Sequence, residues 1–258
     1  MLFYHESWDI MIIKDHGTHL FPDNTLEILN KSAAQQLKKK YTFQADPFLI
    51  EKDDKLYVFY EAFSFRNSKG TLRCRILDRE LTEIDDVKLE GFDDLRCHLS
   101  FPFLININNQ LFMIPESSER KEVLLFQSVE FPARWKKIKV LLSDTEVTDN
   151  IFLSINETCY LLSTTMDNKI IIHSAEHLHG QWQRITPTLK VSNHHHRGAG
   201  TPYLVDNKMY FLTQECTPET YGKSIYIKEL VTLNDINFDE NLIEQINSSI
   251  NHSDGVHK

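Results

Sequence analysis

Two sets of polar residues interrupt an otherwise apolar repeat, and together they have the makings of a reactive site. One set is Glu61, Glu116, Thr164 and Gln214, each four positions after an aromatic residue (Tyr57, Phe112, Tyr160 and Tyr210). The other is Asp46, His98 with Ser100, Asp149 and Arg197, at the starts of apolar segments. A carboxylate that ends an apolar strand is costly unless it has a partner or a task. Crowded carboxylates shift one another's pKa, which separates an acid from a base. Asp46 precedes Pro47. The residue before a proline favours extended backbone, so the sequence predicts a fixed direction for that carboxylate. Arg197 lies in His196-Arg197-Gly198-Ala199-Gly200-Thr201-Pro202. Small residues let a ligand approach the backbone there. A guanidinium among carboxylates balances charge or binds an anionic group. The plainer alternatives are turn or strand caps for Asp46 and Asp149, and salt bridges from Glu61 and Glu116 to Arg66, Arg197 or a lysine. Recurrence at matching places is what favours a site. His194-His195-His196 lacks the carboxylate spacing that would complete a metal site and reads as a polar loop.

Those positions matter only if the fold gathers them. Asp46 to Ile50 runs through Lys52-Asp53-Asp54-Lys55 into Leu56 to Glu61. Phe101 to Ile105 runs through Asn108-Asn109-Gln110 into Leu111 to Glu116. Asp149 to Leu153 runs through Asn156-Glu157 into Tyr160 to Thr164, and Thr201 to Val205 through Asp206-Asn207-Lys208 into Met209 to Gln214. Each unit is a short strand, a polar turn and an aromatic-rich strand, which is a hairpin signal. Third strands follow at Leu72 to Leu77, Val123 to Gln127, Ile170 to Ser174 and Ser224 to Leu230. With Phe48, Phe103, Phe152 and Tyr203 as anchors the repeat is about 50 residues long, the length of a β-propeller blade. A β-sandwich is the alternative.

The expectation is therefore one all-β domain over residues 1–258, a five-bladed β-propeller. Its blades cover about 43–95, 96–145, 146–195 and 196–240. The N-terminal segment, residues 1–42, completes the ring as a fifth blade, with a strand at Trp8 to Lys14 and a short helix at Asn24 to Lys40. A polar tail, 241–258, is a surface helix or loose. In a propeller the start of each first strand and the end of each second strand lie on one face, so the two polar sets would meet in a central funnel. Trp135 and Trp182 read as aromatics packed between blades.

Composition narrows the class. The 258 residues carry 28 Lys plus Arg and 37 Asp plus Glu, a net charge of −9. That balance argues against a nucleic-acid binder, which needs a basic face. No apolar run nears the roughly 20 residues that span a bilayer. Glu6, Asp9, Lys14 and Asp15 interrupt any secretory signal core, so the expected location is cytoplasmic. Cys74, Cys97, Cys159 and Cys216 form no CxxC pair and read as reduced thiols. None of the phosphate-loop, dinucleotide, nucleophile-elbow or zinc-protease motifs occurs, and no cofactor or metal is expected.

The string Phe43-Gln44-Ala45-Asp46-Pro47-Phe48 resembles the signature of the five-bladed propeller glycosidases of family 43 and their furanosidase relatives. The fuller pattern resembles the N-terminal domain of plant glucosamine inositolphosphorylceramide transferase and its stand-alone bacterial relatives. It comprises His98-Leu99-Ser100-Phe101-Pro102, Pro115-Glu116-Ser117, Pro132 to Trp135, Asp149, Arg197 to Gly200 and Tyr221-Gly222. The resemblance implies that Asp46 is a general base and that Asp149 tunes pKa and orients its partner. The family-43 general acid is a Glu just before Gly-Pro. Gly200-Thr201-Pro202 stands in that place here, so the acid is absent; Glu116 or Glu215 is the candidate replacement from a strand end.

A hydrolase must protonate its leaving group. A transferase using a phosphate-activated sugar releases a stable anion and needs a cation instead, which Arg197 supplies. The first expectation is thus a glycosyltransferase acting on a glycan or glycolipid acceptor. Its catalytic residues would be Asp46, Asp149 and Glu116, with Arg197, His98, Ser100, Glu61, Gln214, Glu215 and Tyr221 binding substrate. The alternatives are a cytosolic hydrolase of furanosides or short oligosaccharides, and a non-catalytic glycan-binding propeller that accompanies a separate glycosyltransferase partner.

Overall fold

The computed structural model describes residues 8–13, 34–66, 68–216 and 221–247. Four sheets follow one another along the chain. The first is β3 (Phe43–Lys52), β4 (Lys55–Ser64), β5 (Lys69–Leu77) and β6 (Glu83–Lys88), paired in that order. The second is β7 (Ser100–Ile107), β8 (Gln110–Glu116), β9 (Val123–Glu130) and β10 (Arg134–Leu142). The third is β11 (Thr148–Ile155), β12 (Thr158–Thr164), β13 (Ile170–Ala175) and β14 (Gln183–Ile185). The fourth is built on β16 (Arg197–Gly198), β17 (Tyr203–Val205), β18 (Lys208–Cys216), β19 (Tyr221–Leu233) and β20 (Asn237–Asn247), with β15 (Thr188–Lys190) parallel to β20.

The leading hairpins have one cause. Asp53-Asp54, Asn108-Asn109, Asn156-Glu157 and Asp206-Asn207 all adopt positive φ, between 47° and 66°. Two consecutive left-handed residues make the tight turn whose twist matches that of paired strands, and Asn and Asp tolerate it best. Leading strands touch in sequence: β3 against β7, β7 against β11, and β11 against β16. The sheets are thus propeller blades around a common axis. Their interleaved faces form one core that includes Phe59, Phe103, Leu124, Phe126, Leu161 and Phe211. Trp135 is buried edge-on to Phe59 at 5.9 Å, and Trp182 packs on Phe152, so both tryptophans serve packing. All four cysteines are free thiols.

Four expectations need correction. Among the described residues there are four blades, not five. The N-terminal residues contribute β1 (Met11–Ile13) and β2 (Ala34–Gln36), a separate two-stranded sheet. Ile10, Ile12 and Leu37 lay it on the face of the first blade that carries Val58, Tyr60, Ala62 and Leu77. The expected helix at Asn24 to Lys40 is a strand where it is described, at Ala34–Gln36. Pairing with Met11–Ile13 overrides the helix preference of an Ala-Gln stretch; residues 24–33 lie outside the described residues. Residues 241–247, expected in a polar tail, complete β20, because Phe238 and Ile246 are buried in the fourth blade; 248–258 lie outside the described residues. Finally, the third-blade equivalent of Phe48 and Phe103 is Ile151, not Phe152: these three pair with Phe59, Ile114 and Leu162, each two positions before the polar end of its second strand.

Candidate functional site

The site begins with a recurrent irregularity. The first strand of each of the first three blades slips register between Ala45 and Phe48, Ser100 and Phe103, and Thr148 and Ile151. Asp46, Phe101 and Asp149 are therefore equivalent, and all three have positive φ, 51°, 43° and 45°. Such a conformation is costly for a bulky residue and re-aims its side chain. This corrects the expected extended backbone at Asp46. Pro47 disfavours the right-handed helical region, and the bulge meets that constraint in the left-handed one.

The residue before each bulge pairs with the last polar residue of the second strand. Ala45 opposes Glu61, Ser100 opposes Glu116 and Thr148 opposes Thr164, while Arg197 opposes Gln214 in the fourth blade. The two polar sets are thus brought to one end of the blades. Contacts between blades link them. Asp46 Oδ2 accepts the N–H of Phe101 at 3.2 Å. Glu116 Oε2 accepts the N–H of Asp149 at 3.2 Å, and Glu116 Oε1 the Ser118 hydroxyl at 3.1 Å. Arg197 Nε donates to Asp149 Oδ2, and its Nη2 lies 3.9 Å from Glu116 Oε2. His98 Nε2 lies 3.2 Å from Glu61 Oε1, and its Nδ1 accepts the N–H of Gly70 at 3.0 Å.

Asp46, Glu61, Glu116 and Asp149 are all buried. Burial pushes the Asp46 carboxyl well above the usual range, the charges of Glu61 and Asp149 push it further, and Arg197 opposes them. Burial does the same to Asp149; Arg197 opposes it, while Glu116 raises it through its charge and a hydrogen bond. Carboxyls in this state hold protons at pH values where exposed ones have lost them. For His98, burial lowers the pKa, but the hydrogen bond and charge of Glu61 outweigh it and the net direction is up. Asp46 and Asp149 can therefore hold or accept a proton, while Arg197 and His98 can face an anion with a cation.

Other expected residues take varied places. Ser100 is buried opposite Glu116. Gln214 donates its amide to the carbonyl of Gly198 at 2.9 Å and supports the Arg197 backbone. Glu215, the next residue on the strand, points to the opposite face and accepts the Tyr226 hydroxyl at 3.3 Å. That contact places it beside Tyr226 in the fourth blade. The backbone of Tyr221 pairs with Cys216 in β18 and β19. Arg66 is not a partner of Glu61; His98 takes that place.

Of three further contributors, Gly70 and Cys216 had no role in the sequence reading and Thr164 was named there only as a strand end. Gly70 holds the His98 ring, and a Cβ there would lie 2.3 Å from Glu61 Oε1 and 2.6 Å from the Leu99 carbonyl. Thr164 donates to the His196 carbonyl at 3.1 Å; its strand-end position was the signal. Cys216 Sγ lies 3.6 Å from Arg197 Nη1. Among the described residues, no group of three or more His, Cys, Asp or Glu side chains is arranged to hold a metal ion, and no helix is long and apolar enough to cross a membrane.

Comparison with solved structures gives the same architecture. The chain superposes on a Bombyx mori family 32 β-fructofuranosidase with a TM-score of 0.60 at 13% identity, covering 81% of this chain and 52% of that one. It matches a Podospora anserina α-L-arabinofuranosidase with a TM-score of 0.56 at 12% identity, covering 76% and 66%. At such identities the likeness is one of fold. Sequence relatives are more specific. Glucosamine inositolphosphorylceramide transferase 1 of Arabidopsis thaliana is 30% identical over 202 residues, 74% of this chain and 26% of that protein. The protein of the same name from Oryza sativa subsp. japonica is 27% identical over 205 residues, with the same coverage. The chain thus spans about a quarter of the length of these curated relatives. A family model described as "Glucosamine inositolphosphorylceramide transferase 1, N-terminal" matches residues 18–255, and the chain belongs to that family.

Proposed function

We propose that this propeller transfers a sugar from a phosphate-activated donor to the hydroxyl of a glycan or glycolipid acceptor. The observation that carries this reading is the clustering of Asp46, Glu116 and Asp149 around Arg197, without the Glu before Gly-Pro that a family-43 hydrolase uses as its acid. Asp46 accepts the proton of the acceptor hydroxyl as that oxygen bonds to the anomeric carbon. The bond from that carbon to the phosphate oxygen breaks, and the phosphate leaves with the electron pair. A carboxyl raised toward neutrality is a stronger base once deprotonated than an exposed one. Arg197 receives the departing phosphate. A proton taken up by Asp149 as the phosphate arrives leaves the guanidinium charge uncancelled, so a second anion is tolerated beside it. His98, oriented by Gly70 and Glu61, meets the hydroxyls of the sugar. The relatives' names point to a sphingolipid-type acceptor.

One observation favours a second reading. The relatives are about four times longer than the matched region, so the transferase activity in their names has ample room in another domain, and the propeller would then hold the glycan. Donor turnover separates the readings. The protein is incubated with a panel of nucleotide-activated sugars and acceptor lipids, with Asp46→Asn as control. Turnover that the variant loses supports transfer. Glycan binding equal in both proteins, without turnover, supports the second reading. Monosaccharide release from aryl furanosides without a donor would indicate hydrolysis.

A further inference from the structure

The segment leading into Arg197 has no regular secondary structure between Ser192 and His196, yet buried side chains grip its backbone repeatedly. Lys228 in β19 donates Nζ to the His195 carbonyl at 2.9 Å. Glu240 in β20 accepts both the N–H of Ser192, at 2.7 Å, and its hydroxyl, at 2.8 Å. Lys228 and Glu240 lie 3.2 Å apart, and both side chains are 0% exposed. Thr164 holds the His196 carbonyl, and Gln214 holds that of Gly198 just beyond Arg197.

A buried ion pair is poor evidence of stability in itself. Two apolar side chains of similar volume serve a core as well or better. What apolar side chains cannot do is hold a carbonyl and an amide of an irregular segment in place. The long side chain of Arg197 can be aimed only from a fixed backbone origin, and a misplacement of about 1 Å is enough to spoil a reacting geometry.

We propose that Lys228 and Glu240 are positioning residues, whose buried pair locks the Ser192–His196 segment so that Arg197 stays aimed at Asp149 and Glu116. The role assigned here rests on the reading of Arg197 as the residue that receives the phosphate. Its geometric part can be measured without that reading.

The test compares two double variants. Lys228→Gln with Glu240→Gln removes the charges and keeps a donor for His195 and an acceptor for Ser192. Lys228→Met with Glu240→Leu removes both. Uridine diphosphate is the binding probe, and limited trypsin cleavage after Arg197 reports on the segment. The apolar variant should keep a melting temperature close to wild type, bind the probe roughly tenfold or more weakly, and be cut roughly tenfold or more faster. The glutamine variant should behave as wild type in both readouts. An apolar variant that binds and resists trypsin like wild type overturns the proposal. Hydrogen exchange of the unmodified protein decides the matter even where a variant fails to fold. The Ser192 amide should exchange as slowly as those of β19 and β20, and free exchange there overturns the lock. A wild type that protects Ser192 but does not bind uridine diphosphate supports the lock and overturns the donor reading instead.

Discussion

The Asp46 carboxylate accepts the backbone N–H of Phe101, the residue that occupies in the second blade the place Asp46 holds in the first. One buried acid therefore ties two blades together and faces the axis with a raised pKa. Glu116 repeats the arrangement one blade later, accepting the N–H of Asp149. Joining blades and doing chemistry fall to the same oxygen atoms, and substitutions can separate the two roles.

Asp46→Asn keeps an acceptor for Phe101, whereas Asp46→Ala leaves a buried N–H unpaired at a cost of about 1–3 kcal/mol. Only the alanine variant should unfold at clearly lower denaturant, while both should lose donor turnover. Equal midpoints for the two variants would show that the bond does not hold the blades.

The raised carboxyl also sets a pH dependence. The folded protein binds the Asp46 proton more tightly than the unfolded chain does. Its stabilisation is therefore complete below the ordinary carboxylate pKa and fades as pH rises through the raised value. Asp46→Asn removes that loss. The melting temperature of the variant minus that of wild type should increase from pH 5 to pH 8. A difference that stays constant with pH would mean the carboxyl titrates normally.

Arg197 is the cation for two buried acids. Arg197→Met should cost about 3–5 kcal/mol near neutral pH, the range for breaking a buried pair. The cost should shrink toward pH 4 as Asp149, whose carboxyl burial raises, takes up its proton. Urea titrations at both pH values measure it, and a cost that grows on acidification would reverse the assignment.

His98 should carry its proton on Nε2, since Nδ1 accepts from Gly70. Glu61→Gln removes the charge that raises its pKa, so the NMR titration midpoint should fall. An unchanged midpoint would break the proposed pairing.

Gly198 follows Arg197 where the fourth blade approaches the third. A Cβ there would lie 2.6 Å from the Asp149 carbonyl and 3.0 Å from Ile151 Cγ1. The first contact is backbone and cannot swing aside. Gly198→Ala should destabilise by about 1–3 kcal/mol, the range for overpacking, and weaken anion binding because Asp149 must shift. Unchanged melting and binding would show that the third and fourth blades slide freely.

The blades were legible in the sequence because their turns need two left-handed residues, and Asp53-Asp54, Asn108-Asn109 and Asp206-Asn207 advertise them. The polar ends of the hairpins were legible because Glu61, Glu116 and Gln214 break an apolar run at the same place each time. Features that depend on distant pairing were hidden. Nothing local says that Thr188–Lys190 runs parallel to β20, or that Ala34–Gln36 is a strand. That Ile151, rather than Phe152, is equivalent to Phe48 is a matter of register. Buried charges were also hidden. Lys228 and Glu240 pair with both side chains fully buried. Arg75 is 0% exposed and bonded to Gln44 and Tyr60. A charged residue reads as solvated until its partner from another strand is known.

The most direct measurement is a structure of the protein with a nucleotide-activated sugar and an acceptor analogue. The acceptor hydroxyl should lie within about 3.5 Å of the Asp46 carboxylate, with the donor phosphate against Arg197. Sugar bound on the outer edges of the blades, with nothing between Asp46 and Arg197, would contradict the proposed chemistry.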